Sequence, residues 1–228
     1  MRTFPKTSQE NLINFIYHST RLDRIPIKIE DITRSLSRKK NDPDMNPHAL
    51  GNFKAINLAL ILAQNDDLLK EPHTWLKSLN SAISTPIADH EILTLQTKPL
   101  PKSVCGTYRS VLSSLGGKPT CPPHLISKSL DNWIIPLQKL NASLAPQILN
   151  PRSLSSTNIK NITDAAYNAN LQLCAIQPFQ EGSNRTARIV ENVIRQHFFL
   201  PWKIIPSDDD SKDDFAQNVR DMLDTMKF

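Results

Sequence analysis

Residues 176–188 read Ile-Gln-Pro-Phe-Gln-Glu-Gly-Ser-Asn-Arg-Thr-Ala-Arg and lie between two apolar segments with helical spacing. The stretch predicts a loop that ends with 182–184 at a helix N-terminus, where free backbone N–H groups and the helix dipole favour an anion. Arg185 and Arg188 are three residues apart, so they project from one face of the first turns. Positive side chains at a helix N-terminus are repelled by the positive end of the helix dipole unless an anion lies between the two. The pattern favours a phosphate ligand; the alternative is an ordinary capped helix with exposed arginines.

Glu181 lies just before this predicted first turn. A single carboxylate at that place can hold Mg²⁺, because substrate phosphates and water molecules complete the octahedral shell. The sequence therefore predicts Glu181 as a metal ligand in the same site.

The rest of the chain predicts helices separated by proline-containing loops. Glycine is scarce, with 5 residues, and proline is frequent, with 17, which disfavours a large twisted sheet. Apolar spacing and helix-start signals predict helices at Ser8–Leu22, Glu30–Leu36, His48–Ala63, Glu71–Ile83, Cys121 to about Asn141, Asn161–Ile176, Arg185–Phe199 and after Pro206. Pro136 is expected to shorten or kink the helix that contains it.

The remaining stretches predict connections and one hairpin. They are a turn-rich linker at Asn41–Pro47, a mixed region at Ser84–Leu100 that allows short extended pieces, a small hairpin at Gly106–Gly117 that ends at a Gly-Gly turn, and a loop at Leu144–Thr157. The predicted fold class is all-α with a small β-hairpin. We divide the chain into N-terminal helices at 1–40, a core at 41–205 and a C-terminal helix at 206–228.

Charge and cysteine usage narrow the functional class. The net charge of +5 fits phosphorylated ligands, and the short basic run at 38–40 is interpreted as a solvated loop, so nucleic acid is not an expected partner. Cys105, Cys121 and Cys174 are odd in number and lack CxxC spacing, so they predict neither a zinc site nor a disulfide framework. Without an apolar leader or a membrane-length apolar stretch, a cytoplasmic location is expected, with export as an effector as the alternative.

The 176–188 stretch resembles the signature of the Fic/Doc (Fido) family, His-x-Phe-x-Asp/Glu-Gly-Asn-Gly-Arg-x-x-Arg. The matching residues are Phe179, Glu181, Gly182, Arg185 and Arg188, with Pro178 also common in that family. Upstream, Gly106-Thr-Tyr-Arg109, Cys121-Pro-Pro123 and Trp133 resemble the family's Gly-x-Tyr-Arg, Pro-Pro and tryptophan landmarks. The similarity spans residues 8–205, and it implies a Fic-type helical bundle with a small β-hairpin flap.

Members of that family typically transfer AMP from ATP to a Ser, Thr or Tyr hydroxyl of a target protein. The resemblance implies that Phe179 anchors the loop in the core and that Glu181 binds a Mg²⁺ ion bridging the phosphates. It also implies that Gly182 opens the anion hole, while Arg185 and Arg188 clamp the terminal phosphates with their forked donors.

Two departures from the signature bear on catalysis. Gln177 stands where the family has a histidine, the general base that takes the proton of the attacking hydroxyl. A carboxamide does not titrate near neutral pH, and loss of a general base typically costs about 10²–10⁴ in rate. Ser183 and Asn184 replace the family's Asn-Gly. Asparagine tolerates a left-handed backbone better than most residues, and the Asn184 side chain either crowds the phosphates or supplies the amide lost at Ser183.

A third departure lies near the N-terminus. The stretch from Ser19 to Arg24 resembles the N-terminal inhibitory helix of many Fic proteins, Ser-x-x-x-Glu-Gly, whose glutamate pairs with the second arginine of the signature. Asp23 stands at the glutamate and Arg24 at the glycine. Because aspartate is one methylene shorter, its pairing with Arg188 is expected to be weak or water-mediated. The alternative is a surface carboxylate paired with Arg24 or Lys28.

Two functions follow from the resemblance and these departures. The first is binding of ATP and Mg²⁺ with impaired or altered transfer, in which the flap at 104–117 docks the target segment by strand-like pairing. In that case another group must take the hydroxyl proton, and His18, His124 and His197 are the histidines expected near the loop. The second is a catalytically silent homologue that acts as a protein-interaction or regulatory partner. An unrelated helical binding module is the remaining alternative.

Overall fold

The structure is a computed structural model that describes residues 8–37, 46–63, 67–94, 98–148 and 154–228. Within those ranges the helices are α1 (Gln9–Leu22), α2 (Ile29–Ser37), α3 (Pro47–Ala63), α4 (Asp67–Lys70), α5 (Pro72–Leu93), α6 (Ile126–Ile148), α7 (Ser156–Ile176), α8 (Ser183–His197) and α9 (Asp209–Thr225). One antiparallel hairpin joins β1 (Ser114–Leu115) to β2 (Lys118–Pro119). The prediction of an all-α fold with one small hairpin is confirmed.

Helix α8 lies at the centre of the fold. Every residue of α8 except Asn184 is buried, and α7, α3, α5 and α1 pack around it. On α7, the small residues Ala166, Ala169 and Ala175 are almost fully buried, so the backbones of α7 and α8 can approach closely. On α3, a Cβ at Gly51 would lie 2.2 Å from the carbonyl oxygen of Ile83, so only glycine permits the observed contact between α3 and α5.

Three buried polar residues of α8 form hydrogen bonds with the extended segment that follows it. Asn192 exchanges two hydrogen bonds with the backbone of Lys203, at 2.7 and 3.1 Å. Arg195 donates to the carbonyl of Pro201 at 2.8 Å, and Gln196 donates to that of Leu200 at 3.1 Å. Buried polar groups are tolerated when they are hydrogen-bonded, which explains how such a polar helix occupies the core.

Several helix starts follow from local capping. The side-chain oxygens of Ser8, Ser155 and Asp208 accept hydrogen bonds from backbone N–H groups three residues later, at the starts of α1, α7 and α9. Asp209 and Asp210 form the acidic first turn of α9, which the helix dipole favours.

Two predicted helix ends were wrong. Helix α5 continues through Pro86 to Leu93, where the sequence allowed extended pieces, and α6 continues through Pro136 to Ile148. An interior proline costs about 3 kcal/mol or more. The burial of Ile87 and Ala88 in α5, and of Leu137 and Leu144 in α6, outweighs that cost.

The boundaries of the predicted connections also change. Residues 144–148 and 156–157, expected in a loop, belong to α6 and α7, while 149–153 lie outside the described residues. Residues 41–45 of the predicted linker also lie outside them. The division at residues 40 and 205 stays a prediction.

The hairpin lies slightly later than the sequence indicated. Its turn is Gly116-Gly117, with φ of 57° and 83°, as a two-residue hairpin turn requires. The preceding residues Val111 and Leu112 are exposed and not in a strand. In the part of the chain that the structure describes, no helix is both long and apolar enough to span a bilayer.

Candidate phosphate site at the start of helix α8

The loop between α7 and α8 is anchored by its aromatic residue. Phe179 is 2% exposed, and its backbone pairs with that of Tyr108 in an isolated antiparallel bridge. The backbone N–H of Arg109 donates to the carbonyl of Pro178 at 3.0 Å. The segment before the hairpin is therefore attached directly to the loop.

Arg109 is the main connector between the two segments, a role that the sequence did not reveal. Arg109 is 5% exposed, and burial lowers the pKa of its guanidinium. It donates to four carbonyls and one hydroxyl: those of Gln177 (2.6 Å), Val111 (2.6 Å), Ile176 (3.2 Å) and Cys121, and the Thr120 hydroxyl (2.9 Å). These bonds hold the end of α7 and the base of the hairpin in one geometry.

Gln177 and Asn184 are joined to each other across the loop. Gln177 has a left-handed backbone, with φ of 50°, and ends α7. Its Nε2 donates to the carbonyl of Cys174 at 2.7 Å and to Oδ1 of Asn184. The two carboxamides that depart from the family signature are thus direct neighbours.

Gly182 and Ser183 shape the turn into α8. Gly182 has a φ of 76°, and a Cβ at this position would lie 2.9 Å from Cγ2 of Ile83. Gly182 is the N-cap and supplies no side-chain hydrogen bond to the first turn. The hydroxyl of Ser183 does not cap the helix either, because it accepts from the N–H of Phe179 and donates to its carbonyl, both at 2.9 Å.

Asn80 of α5 hydrogen-bonds the loop, and the sequence did not indicate this role. Its Nδ2 donates to the carbonyl of Glu181 at 2.7 Å, and its Oδ1 accepts from the N–H of Gly106 at 3.1 Å. A single buried amide therefore connects the loop with the start of the hairpin segment.

Arg185 is fully buried and surrounded by polar groups. Its Nη1 donates to Nδ1 of His48 at 3.0 Å, and Nη2 forms an ion pair with Glu181. Its Nε lies 3.1 Å from Oδ2 of Asp23, an ion pair without hydrogen-bond geometry. The three partners come from α3, the loop and the end of α1.

Arg188 is 2% exposed and lies against α1. It donates to the hydroxyl of Ser19 at 2.9 Å, to the carbonyl of Ser19 at 2.6 Å and to Oδ1 of Asp23 at 2.7 Å. Its Nη1 is buried and has no hydrogen-bond partner within the described ranges. The expectation of a weak or water-mediated contact was wrong: Asp23 binds both arginines directly, and it does not pair with Arg24 or Lys28.

Helix α1 ends in the geometry that a glycine would favour. Arg24 has a φ of 61° and is exposed, and it occupies the place of the glycine in the resembled inhibitory pattern. A left-handed conformation costs a non-glycine residue roughly 1–2 kcal/mol.

We expect Arg24→Gly to raise the free energy of unfolding by about 1 kcal/mol, because glycine adopts this conformation without strain. The midpoint of thermal unfolding should rise by about 2–4 °C for a chain of this size. Arg24→Ala is the control, since it removes the same side chain and keeps the strain. Equal stabilities of the two variants in urea unfolding would show that the backbone conformation is not the cause.

His48 was missed by the sequence analysis because it lies 137 positions before Arg185. Burial, and after it the positive charge of Arg185, lower the pKa of His48 to about 4. A neutral imidazole then accepts the hydrogen bond from Arg185.

The histidines that the sequence did propose lie elsewhere. His18 bonds to Ser207, His197 bonds to Asn141, and His124 is exposed on a 3₁₀ turn. Among the described residues, the structure gives none of these three a hydrogen bond to the loop at 177–184.

A cleft of about 280 Å³ opens on this arrangement. It is lined by Asp23, Ile25, Gln177 and residues 179–184. Glu181 is partly exposed here, whereas both arginines lie beneath the surface. The cleft brings together the loop, the first turn of α8 and the end of α1.

The buried central helix, the loop that precedes it and the small hairpin pinned to that loop define a Fic-type fold. The solved structures similar to this chain agree. A Fic-domain-containing signaling protein from Bacteroides thetaiotaomicron has a TM-score of 0.61 and 17% identity, over 92% of this chain and 71% of that one. Two structures of Fic-1 from C. elegans have TM-scores of 0.62 and 0.61, with 14% and 16% identity.

This chain spans 60% and 57% of the length of the two C. elegans chains, and those structures cover 95% and 94% of it. No model of a known protein family matches the sequence, and no curated protein is significantly similar to it. The likeness therefore establishes the Fic-type fold.

Proposed function

We propose that this protein binds a nucleoside triphosphate with Mg²⁺ at the N-terminus of α8 and transfers AMP to hydroxyl groups slowly or not at all. The observation that carries the proposal is the shared carboxylate of Asp23. One acid from α1 lies against two buried arginines of α8, at 2.7 Å from Arg188 and 3.1 Å from Arg185. Its negative charge occupies the place that a terminal phosphate would take.

The residues around the cleft fit such a ligand. The first turn of α8 has no side-chain cap, so no side chain competes with a ligand for its backbone N–H groups. Arg188 also retains a buried donor with no hydrogen-bond partner among the described residues. Uncapped N–H groups and guanidinium donors are what phosphate oxygens require.

Glu181 fits a metal that arrives with the nucleotide. Within the described residues there is no group of three metal-ligating side chains. Magnesium often uses one or two carboxylates and completes its shell with phosphates and water. Glu181 lines the cleft and is partly exposed, although its Oε1 is paired with Arg185. When bound, the ion would neutralise phosphate charge.

Gln177 supports the slow-transfer part of the proposal. Its Nε2 is held by the carbonyl of Cys174 and by Asn184, and no group of a carboxamide can accept the hydroxyl proton. The neutral imidazole near the site, His48, is bonded to Arg185 through Nδ1. A slow reaction would therefore depend on a proton acceptor outside this loop.

Asp23 would act as the inhibitory residue in this proposal. A terminal phosphate at the arginines must replace its carboxylate, so the affinity for nucleotide is reduced by the strength of that contact. Arg188 also donates two hydrogen bonds to Ser19, which hold α1 in this position. The reduction in nucleotide affinity is therefore substantial.

We expect Asp23→Asn to bind ATP with Mg²⁺ at least about tenfold more tightly than the wild type in calorimetric titration, because the competing charge is removed. Ser19→Ala, which loosens α1 and keeps the charge, should increase the affinity by a smaller factor. Adding Arg185→Gln to Asp23→Asn should abolish binding.

Asp208→Asn is the matched control, because it makes the same charge change at the start of α9, away from the cleft. It should leave the affinity unchanged. Thermal unfolding of each variant establishes that it is folded. If every folded variant fails to bind nucleotide, the nucleotide function is wrong.

The second candidate is a silent homologue that works by binding a protein. The observation in its favour is the exposure of two adjacent apolar residues in the flap segment, 53% for Val111 and 82% for Leu112. Exposed apolar side chains of this size suit a docking segment at 104–117. Absence of nucleotide binding in the titration above would favour this candidate.

A further inference from the structure

The orientation of the Gln177 carboxamide is fixed by the end of α7. Its terminal group lies 2.7 Å from the carbonyl oxygen of Cys174, and only an N–H group can face a carbonyl at that distance. Nε2 must therefore point toward Cys174. The same nitrogen also contacts the side chain of Asn184.

This orientation determines that of Asn184. Because Gln177 presents a donor, Asn184 must present its acceptor, Oδ1, in return. Its Nδ2 then points away from Gln177. Asn184 is half-buried and lines the cleft, and its Nδ2 has no hydrogen-bond partner within the described ranges.

Ser183 cannot provide this donor. Its hydroxyl has a single hydrogen, which is donated to the carbonyl of Phe179. The Asn184 side chain is therefore the neutral side-chain donor that the first turn of α8 offers to the cleft, beside the uncapped backbone N–H groups.

We propose that Asn184 is a phosphate-binding residue of this site and that Gln177 is its positioning residue. The inference rests on the proposed nucleotide function and gives a role to two of the three residues that depart from the signature, Gln177 and Asn184. The group recognised is a phosphate of the nucleotide, because backbone N–H groups and Nδ2 present donors together at this turn. Gln177 acts by holding Oδ1 of Asn184 away from the phosphate.

The test is a set of titrations with ATP and Mg²⁺ in the Asp23→Asn background, with the wild type beside it. Asn184→Asp should weaken binding by about tenfold or more, because two donors become acceptors and a negative charge faces the phosphate. Asn184→Gly should weaken it by a smaller factor. Asn132→Asp on the exposed side of α6 is the charge control and should have no effect.

A double-mutant cycle separates positioning from general damage. Gln177→Met should weaken binding about threefold when Asn184 is present and have no effect when Asn184→Gly is present, because it acts through Asn184. Gln217→Met, at an exposed position of α9 outside the cleft, should not change the affinity. A loss of structure would lower the midpoint of thermal unfolding, whereas a positioning role appears as coupling in the binding constants.

Pyrophosphate serves as a second probe in the same variants. If Asn184 contacts the phosphates, each substitution should weaken the binding of pyrophosphate and of ATP by the same factor. A loss of affinity confined to ATP would overturn that assignment. Tighter binding by Asn184→Gly would show that Asn184 only crowds the site, and additive effects of the two substitutions would show that Gln177 does not act through Asn184. If the Asp23→Asn parent itself fails to bind, the proposed function fails, and this inference fails with it.

Discussion

Replacing Arg109 with methionine is expected to lower the free energy of unfolding by about 3 kcal/mol. The substitution removes every hydrogen bond from the guanidinium to the loop and to the base of the hairpin. Each buried acceptor left without a donor costs about 1–3 kcal/mol. Part of that loss is offset, because burial of the guanidinium is itself unfavourable, as the lowered pKa of Arg109 shows.

Urea unfolding measures this change. Lys118→Met is the matched control, since it also removes one positive charge from the hairpin region, but its ion pair with Asp224 is exposed on both sides. Exposed pairs contribute about 1 kcal/mol or less. Similar losses in the two variants would contradict the assignment of Arg109 as the connector.

A second large effect is expected in the dependence of stability on pH. The pKa of His48 is about 4 in the folded protein, below its ordinary value near 6.5, so the unfolded chain binds a proton that the folded protein does not. Stability from this group is fully present above pH 6.5 and is lost as the pH falls toward 4. This difference between the folded and unfolded pKa corresponds to about 3 kcal/mol in the free energy of unfolding.

Urea unfolding at pH 7, 6, 5 and 4 should show this loss in the wild type and a smaller loss in His48→Gln. The charged and titratable groups near His48 are Arg185, Asp23 and His90, and all remain in the variant. His124→Gln, at an exposed position, should follow the wild type. Parallel curves for the wild type and His48→Gln would mean that His48 does not carry the effect.

Much of the helical framework could be predicted because its signals are local. Ser8 and Asp208 cap α1 and α9 within three residues, and the apolar spacing of α1, α3 and α7 is visible in the sequence. The cap at Ser155 was missed, and α7 begins earlier than predicted. The proline positions show the limit of this approach. Pro86 and Pro136 each remove a backbone hydrogen bond and so disfavour a helix locally. The buried apolar contacts that stabilise these helices are made with helices distant in sequence.

The candidate site also contains residues that local sequence could predict and residues that it could not. The loop and the first turns of α8 form one continuous stretch, 177–188, so its residues could be proposed together. Residues that complete it come from distant segments: Asn80 is 101 positions from Glu181, and His48 is 137 from Arg185. Asp23 could be proposed only through the resemblance, because no local pattern connects it with Arg188, 165 positions later.

The burial of α8 has a consequence for the kinetics of ligand association. Fourteen of its fifteen residues are buried, so the arginines cannot turn outward unless the core opens. On the α1 side, Ser19 and Asp23 occupy the donors of Arg188. In the proposed function, association of a phosphate ligand with the arginines should therefore follow the release of Asp23, and its observed rate should reach a plateau at high ligand concentration.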